Sequence, residues 1–124
     1  MNDQQKLANA LSGVYYLATT ENDQPHVRPF DGAVVVDDKL YIGTAKTKNV
    51  FKQIVDNPKI EIFSMESGTV RFAAEAYAVA DDNLNEEIYL ALGKDYSENS
   101  VALELKNIKG TLIDSMGDRI ELDF

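Results

Sequence analysis

Thr44-Ala45-Lys46-Thr47-Lys48-Asn49 gathers two ammonium groups, two hydroxyls and an amide into one short stretch. Behind it, Val50, Phe51, Ile54 and Val55 follow the i, i+1, i+4, i+5 spacing of one helical face, and Asn57-Pro58 ends that helix. The cations therefore stand where a helix begins. First-turn N–H groups lack intrahelical acceptors and carry a partial positive charge, so they attract anions. Thr44 and Thr47 add hydroxyl donors, Lys46 and Lys48 full charges, and Asn49 an amide. That set suits a phosphate monoester, which is dianionic and rich in acceptor oxygens. Arg28 adds a planar fork to the same anion if a hairpin turning at Asp37-Asp38 pairs it near Thr44.

Other chemistries find less support. The glycine-rich turn of a Walker loop is missing, and no GxGxxG follows a strand. There are no cysteines, which removes thiolate metal sites and thiol nucleophiles, and the single histidine, His26, leaves no His-rich metal site. Residue types alone leave the lysine segment open between a phosphate site and an N-capped surface helix with a solvated cationic face.

Charge distribution separates this segment from the rest. The 124 residues carry a net charge of −9, yet residues 39–59 hold five lysines against Asp56 alone, a local +4. Residues 60–124 carry −9. A chain of this overall sign is not a general nucleic-acid binder, which speaks against an oligonucleotide-binding barrel, and it would be repelled by anionic membranes. No apolar stretch approaches the ~20 residues of a membrane span, and the start, Met1-Asn2-Asp3-Gln4-Gln5-Lys6, lacks the order of a signal peptide. A cytoplasmic location is the expectation.

The elements that must position the lysines can be read from periodicity. Asp3–Leu11 predicts a helix capped by Asp3, with Gly13 as its stop. Val14–Thr19 predicts a strand, followed by a turn over Glu21–Pro25 and an extended run over 26–36 in which Pro29 calls for an edge position or a bulge. Lys39–Thr44 completes a hairpin, and a helix over Thr47–Asp56 with Thr47 as N-cap follows. Ile60–Phe63 and Thr69–Ala80 predict strands. Asn83–Leu92 predicts a third helix, with Asn83 and Glu86 in capping-box positions. Val101–Leu105, Thr111–Asp114 and Arg119–Leu122 predict the remaining strands. The chain reads as a single domain, residues 1–124, mainly β (α+β): six or seven antiparallel strands forming a barrel with short peripheral helices, since most connections are too short for parallel crossovers.

With these pieces in order, YYLATTENDQPHVRPF followed by LYIGTAKTKNVFKQIVDNPKIEI resembles the flavin-binding core of the pyridoxamine 5′-phosphate oxidase-like split-barrel family, in particular its short members. The resemblance covers residues 14–63. It implies a split β-barrel that binds FMN. Arg28, Thr44, Lys46, Thr47, Lys48 and Asn49 would surround the phosphate and ribityl chain, and Val27, Pro29 and Phe30 would line the isoalloxazine edge. It also implies a homodimer with flavin in the groove between subunits, with Arg71 a candidate from the second subunit. Asp31, an acid beside an anion site, is expected to point away.

The resemblance further implies a flavin-dependent oxidoreductase working between NADH or NADPH and a small acceptor. A non-catalytic carrier or sensor of flavin, haem or the deazaflavin F420 is the alternative. The longer C-terminal segment with which true pyridoxamine phosphate oxidases hold their substrate has no counterpart before Phe124, so vitamin B6 oxidation is not expected. No catalytic side chain is assigned. His26 reads as a surface residue at a strand start, the tyrosines as half-buried strand and helix residues, and Asp81-Asp82 with Glu86-Glu87 as helix-start acids rather than metal ligands.

Overall fold

Eight strands and three short helices alternate along the chain, and every strand pair is antiparallel. The structure is a computed structural model describing residues 2–124. Helix α1 (Asp3–Ala10) leads into β1 (Val14–Glu21) and β2 (Gln24–Asp31), and β3 (Val34–Val36) and β4 (Lys39–Ala45) form the next hairpin. Then come α2 (Asn49–Asp56), β5 (Lys59–Ser64), β6 (Thr69–Ala78), α3 (Asp82–Leu92), β7 (Ser100–Ile113) and β8 (Arg119–Asp123). The strand order is β2-β1-β5-β6-β7-β4-β3, with β8 paired to β7 off this path. The architecture is the antiparallel split barrel with peripheral helices that the sequence predicts, with more strands than the six or seven expected.

The differences have local causes. Gly32, at φ +83°, breaks the extended run over 26–36, so β3 is a strand of its own. Conversely, Val101–Leu105 and Thr111–Ile113 belong to the single 14-residue strand β7. A left-handed Asn107 and a register shift opposite Ala73/Glu75 bend this strand without ending it. Its first part therefore pairs with β4 while its last part lies between β6 and β8.

Both tight hairpins turn on pairs of left-handed residues, Asn22-Asp23 (φ 51° and 62°) and Asp37-Asp38 (φ 50° and 63°). That geometry matches the twist of the flanking strands. Strand β2 is at a sheet edge, where Pro25 and Pro29 cost no ladder bond. Alternation on β1 sends Tyr15, Leu17 and Thr19 inward, where they join Leu40, Ile42, Ile62, Phe72 and Leu103 in the barrel interior.

The helix caps lie elsewhere than predicted. Asn2, not Asp3, caps α1, accepting from the Gln5 N–H at 2.8 Å. Asp81 caps α3, accepting from the Leu84 N–H at 3.1 Å, in place of an Asn83–Glu86 box. On α2 the predicted face is rotated: Val50 and Ile54 are buried, Val55 is exposed, and the polar Gln53 takes an inner position. No helix among the described residues is long and apolar enough to cross a membrane.

Candidate functional site

Strand β2 and helix α2 are tied together by one side chain. Arg28 donates from Nη1 to the Leu17 carbonyl (3.2 Å) and to Thr19 Oγ1 (2.9 Å), and from Nη2 to Gln53 Oε1 (2.7 Å). The buried Thr19 hydroxyl donates to the same Gln53 oxygen. These bonds commit three of the five guanidinium hydrogens, leaving Nε–H and one Nη2–H available. Burial lowers the Arg28 pKa from its ordinary value, because desolvation disfavours the charged form, but an arginine starts so high that it stays cationic.

Arg28, Pro29, Phe30 and Asp31 form one wall of a cleft of about 120 Å³, and Gly43, Lys48, Val50 and Lys94 complete it. Lys48 is the N-cap of α2, with extended backbone and no side chain bonding back to the first turn. The N–H groups of Asn49 and Val50 have no acceptor among the described residues. The opening of α2 is thus an uncapped, partially positive helix end beside a lysine and an arginine. Across the cleft, the Lys94 ammonium donates to Asp31 Oδ1 at 2.8 Å and to the Asp31 carbonyl at 2.7 Å. The hydrogen bond and charge of Lys94, with a smaller contribution from Lys48, hold the Asp31 carboxyl below the usual carboxylate range.

An uncapped cationic helix start at the edge of a split barrel narrows the possibilities, and comparison with known proteins decides the family. The family model described as pyridoxamine 5′-phosphate oxidase matches residues 2–115. The chain belongs to that family. Among solved structures, a NimC/NimA family protein from Clostridium acetobutylicum is 31% identical with a TM-score of 0.82, covering 98% of this chain and 95% of that one. HutZ, the haem storage protein from Vibrio cholerae, shares the fold at 15% identity and TM-score 0.58, over 83% of this chain and 87% of its own. An F420 reductase does so at 12% identity and TM-score 0.60, over 86% and 94%. No curated protein matches the chain.

Within this member of the pyridoxamine 5′-phosphate oxidase family, the residues singled out from sequence separate into groups. Arg28, Pro29, Phe30 and Lys48 converge on the cleft. Lys46, Thr47 and Asn49 are exposed and do not line it, and Thr47 is not the cap of α2. Thr44 is buried under the β4–α2 connection; its hydroxyl has no hydrogen-bond partner, and its carbonyl accepts from the Tyr89 hydroxyl. Val27 lies on the outer face of the sheet with Tyr16 and Phe63, opposite to Arg28, and does not line the cleft.

Two expectations about geometry are overturned. Arg28 does not meet Thr44 across a hairpin, because β2 pairs with β1 (Arg28 opposite Leu17) while β4 pairs with β3 and β7. Arg28 and the start of α2 meet instead through the side of that helix, at Gln53. Asp31 does not point away. It lines the cleft, with its charge balanced by Lys94.

Three participants escaped the sequence reading. Gln53 carried a signal, since it sits three residues after Val50 and one before Ile54, a polar side chain on a buried helical face. Thr19 was marked by β1 alternation as an inward hydroxyl. Lys94 lies 63 residues from Asp31, and nothing local announces their contact.

Proposed function

We propose that this chain binds FMN, with the phosphate in the Arg28–Lys48 cleft, and works as a flavin-dependent oxidoreductase between NADH or NADPH and a small acceptor. The observation that carries this reading is the convergence of Arg28 and Lys48 on the uncapped start of α2. The donor set fits the group. Two spare guanidinium hydrogens, the Lys48 ammonium and two open backbone N–H groups offer enough donors for the terminal oxygens of a phosphate monoester. Pro29 and Phe30 add an apolar wall next to that anion site. Bound flavin supplies the redox chemistry itself, so the residues here have to hold and orient it and neutralise its charge.

A second copy of the chain belongs to the same proposal. The cleft holds about 120 Å³, well under the roughly 300 Å³ at which pockets begin to enclose a drug-sized ligand. Next to it the outer face of β2, β1 and β5 leaves Val27 69%, Tyr16 50% and Phe63 40% exposed around a shallow concavity of about 450 Å³. Pro29, two residues along from Val27, lines the cleft, so the apolar face and the anion site adjoin. A partner packed on this face would complete the enclosure. Tyr16→Asp places a charge at its centre and is expected to convert a dimer to a monomer in analytical ultracentrifugation, with far-UV circular dichroism unchanged. A variant that sediments like the parent chain would place the interface elsewhere.

Flavin binding is tested directly by mixing the purified protein with FMN, desalting and recording the visible spectrum. A yellow protein releasing flavin on denaturation is expected, and a colourless one rejects the reading. Lys48→Glu reverses the charge at the proposed phosphate and is expected to weaken FMN at least ~10-fold, since a charge-assisted hydrogen bond contributes about 1.5–3 kcal/mol. Its thermal midpoint should hold, because Lys48 is exposed and makes no side-chain cap.

The alternative, a non-catalytic carrier or sensor of flavin, haem or F420, would use the same cleft. The fold it shares with a haem storage protein is compatible with that role. Tight FMN binding without oxidation of NADH or NADPH across a panel of acceptors would select it.

A further inference from the structure

The cleft carries a third cation whose placement is built into the fold. Helix α3 ends at Gly93, left-handed at φ +72°, a conformation that disfavours most side chains. The Gly93 N–H bonds to the Leu90 carbonyl and the Lys94 N–H to the Tyr89 carbonyl at 3.0 Å, the paired bonds of a Schellman ending. Tyr89 is itself anchored, its hydroxyl donating to the Thr44 carbonyl on the strand that feeds the Lys48 loop. The backbone of Lys94 is therefore held relative to β4. From there its stem passes over Gly32, whose missing Cβ would lie 3.8 Å from Lys94 Cε, and its ammonium reaches Asp31.

We propose that Lys94 is the third cation of the anion site, donating its remaining ammonium hydrogen to the phosphate of the ligand, and that Asp31 is a positioning residue that holds it over the cleft. Charge supports the assignment. Arg28, Lys48 and Lys94 against Asp31 leave a formal +2 in the cleft, which balances a phosphate monoester dianion within a chain of net −9. Without Lys94 the lining would be +1, with a carboxylate facing the phosphate. Two of the three ammonium hydrogens are committed to Asp31, one to its carboxylate and one to its carbonyl, and the third is available. The Lys94 hydrogen bond and charge hold the Asp31 carboxyl below the usual carboxylate range, so the pair persists throughout the neutral range. The proposal takes from the flavin reading only the identity of the anion's carrier.

The test titrates FMN and riboflavin separately into the full chain, Lys94→Met and Asp31→Asn. Riboflavin is the control that lacks only the phosphate. Lys94→Met keeps the apolar stem and is expected to weaken FMN at least ~10-fold, the loss of one charge-assisted contact plus exposure to an unbalanced Asp31, while riboflavin changes by less than ~2-fold. Asp31→Asn retains an acceptor for Lys94 and removes a negative charge, so FMN should tighten a few-fold. An unchanged FMN-to-riboflavin ratio in Lys94→Met overturns the assignment. Failure of the parent chain to bind either flavin rejects the flavin reading and leaves the anion site to be decided by inorganic phosphate. In that case phosphate-induced NMR shifts of the ε-methylenes of both Lys48 and Lys94 support the third cation, and shifts of Lys48 alone overturn it.

Discussion

Arg28→Met is expected to cost the protein its anion affinity and a large part of its stability together. The guanidinium bridges β1, β2 and α2 through three hydrogen bonds, two of them to polar side chains, Thr19 and Gln53, that are otherwise buried. Removing it leaves the Leu17 carbonyl without that donor and strips one of two donors from Gln53 Oε1. Leaving buried groups short of charge-assisted partners costs about 2–3 kcal/mol, or roughly 10 °C in Tm for a chain of this size. FMN affinity should fall by about 100-fold as the two free guanidinium hydrogens are lost from the phosphate.

The two effects separate in a second variant. Adding Thr19→Val and Gln53→Leu to Arg28→Met turns the whole polar cluster into an apolar contact. Replacing every partner of a buried network by apolar groups of similar shape approaches neutrality. This triple variant is expected to regain more than half of the lost Tm in a thermal melt while FMN affinity stays low. Recovery of FMN binding along with stability would show that Arg28 holds the fold and does not touch the anion. Arg28→Lys completes the series: it keeps the charge, lacks the planar fork that serves Thr19 and Gln53 at once, and should fall between parent and Arg28→Met in both measurements.

What could be read in advance follows from the range of the interactions involved. The hairpin turns, the edge position of Pro29, the strand at β1 and the existence of α2, though not which of its faces turns inward, are set by neighbours in sequence, and each was legible. The helix caps were misplaced by a residue or two because several adjacent polar residues could each serve, and Asn2 and Asp81 took the roles assigned to Asp3 and Asn83. The continuity of β7 was invisible for a different reason. Lys106 and Asn107 look like a loop between two strands, and only pairing with β6 across a bulge carries the strand through them.

At the site the divide is the same. Lys48 before a helical period and Arg28 in an edge strand were visible as types and positions. That they share a cleft depends on Gln53, and hence on α2 packing with that side turned inward. Arg28 does reach the neighbourhood of α2, but not across a β2–β4 hairpin: β2 pairs with β1, and α2 packs against β1, so the meeting comes from helix packing and not from strand register. Asp31 illustrates the limit. Its charge alone argued for turning away, and only its long-range partner Lys94 makes it compatible with an anion site.

Gly110→Ala is expected to be severely destabilising. Gly110 lies in β7 between Phe72 of β6 and Leu122 of β8. A Cβ there would stand 2.1 Å from the Arg71 carbonyl oxygen, 2.5 Å from Phe72 Cα and 2.6 Å from Phe72 Cβ. The first two are backbone atoms of a paired strand, so no rotamer change relieves the clash. β6 would have to separate from β7 locally, opening Phe72 and Leu112 of the core to water. Overpacking of a core costs about 1–3 kcal/mol and more where backbone has to move, so a loss of at least ~3 kcal/mol is expected. A fall in Tm of more than ~10 °C in a thermal melt checks it, and a melt within ~2 °C of the parent would mean that β6 and β7 are not packed this closely. The consequence for the site is indirect but definite. The same strand β7 that Gly110 lets pass beside Phe72 pairs at its other end with β4 from Leu40 to Ala45, and β4 delivers the chain to Lys48. Loosening β7 should therefore weaken FMN together with riboflavin, by a common factor, unlike Lys48→Glu, which should discriminate between them.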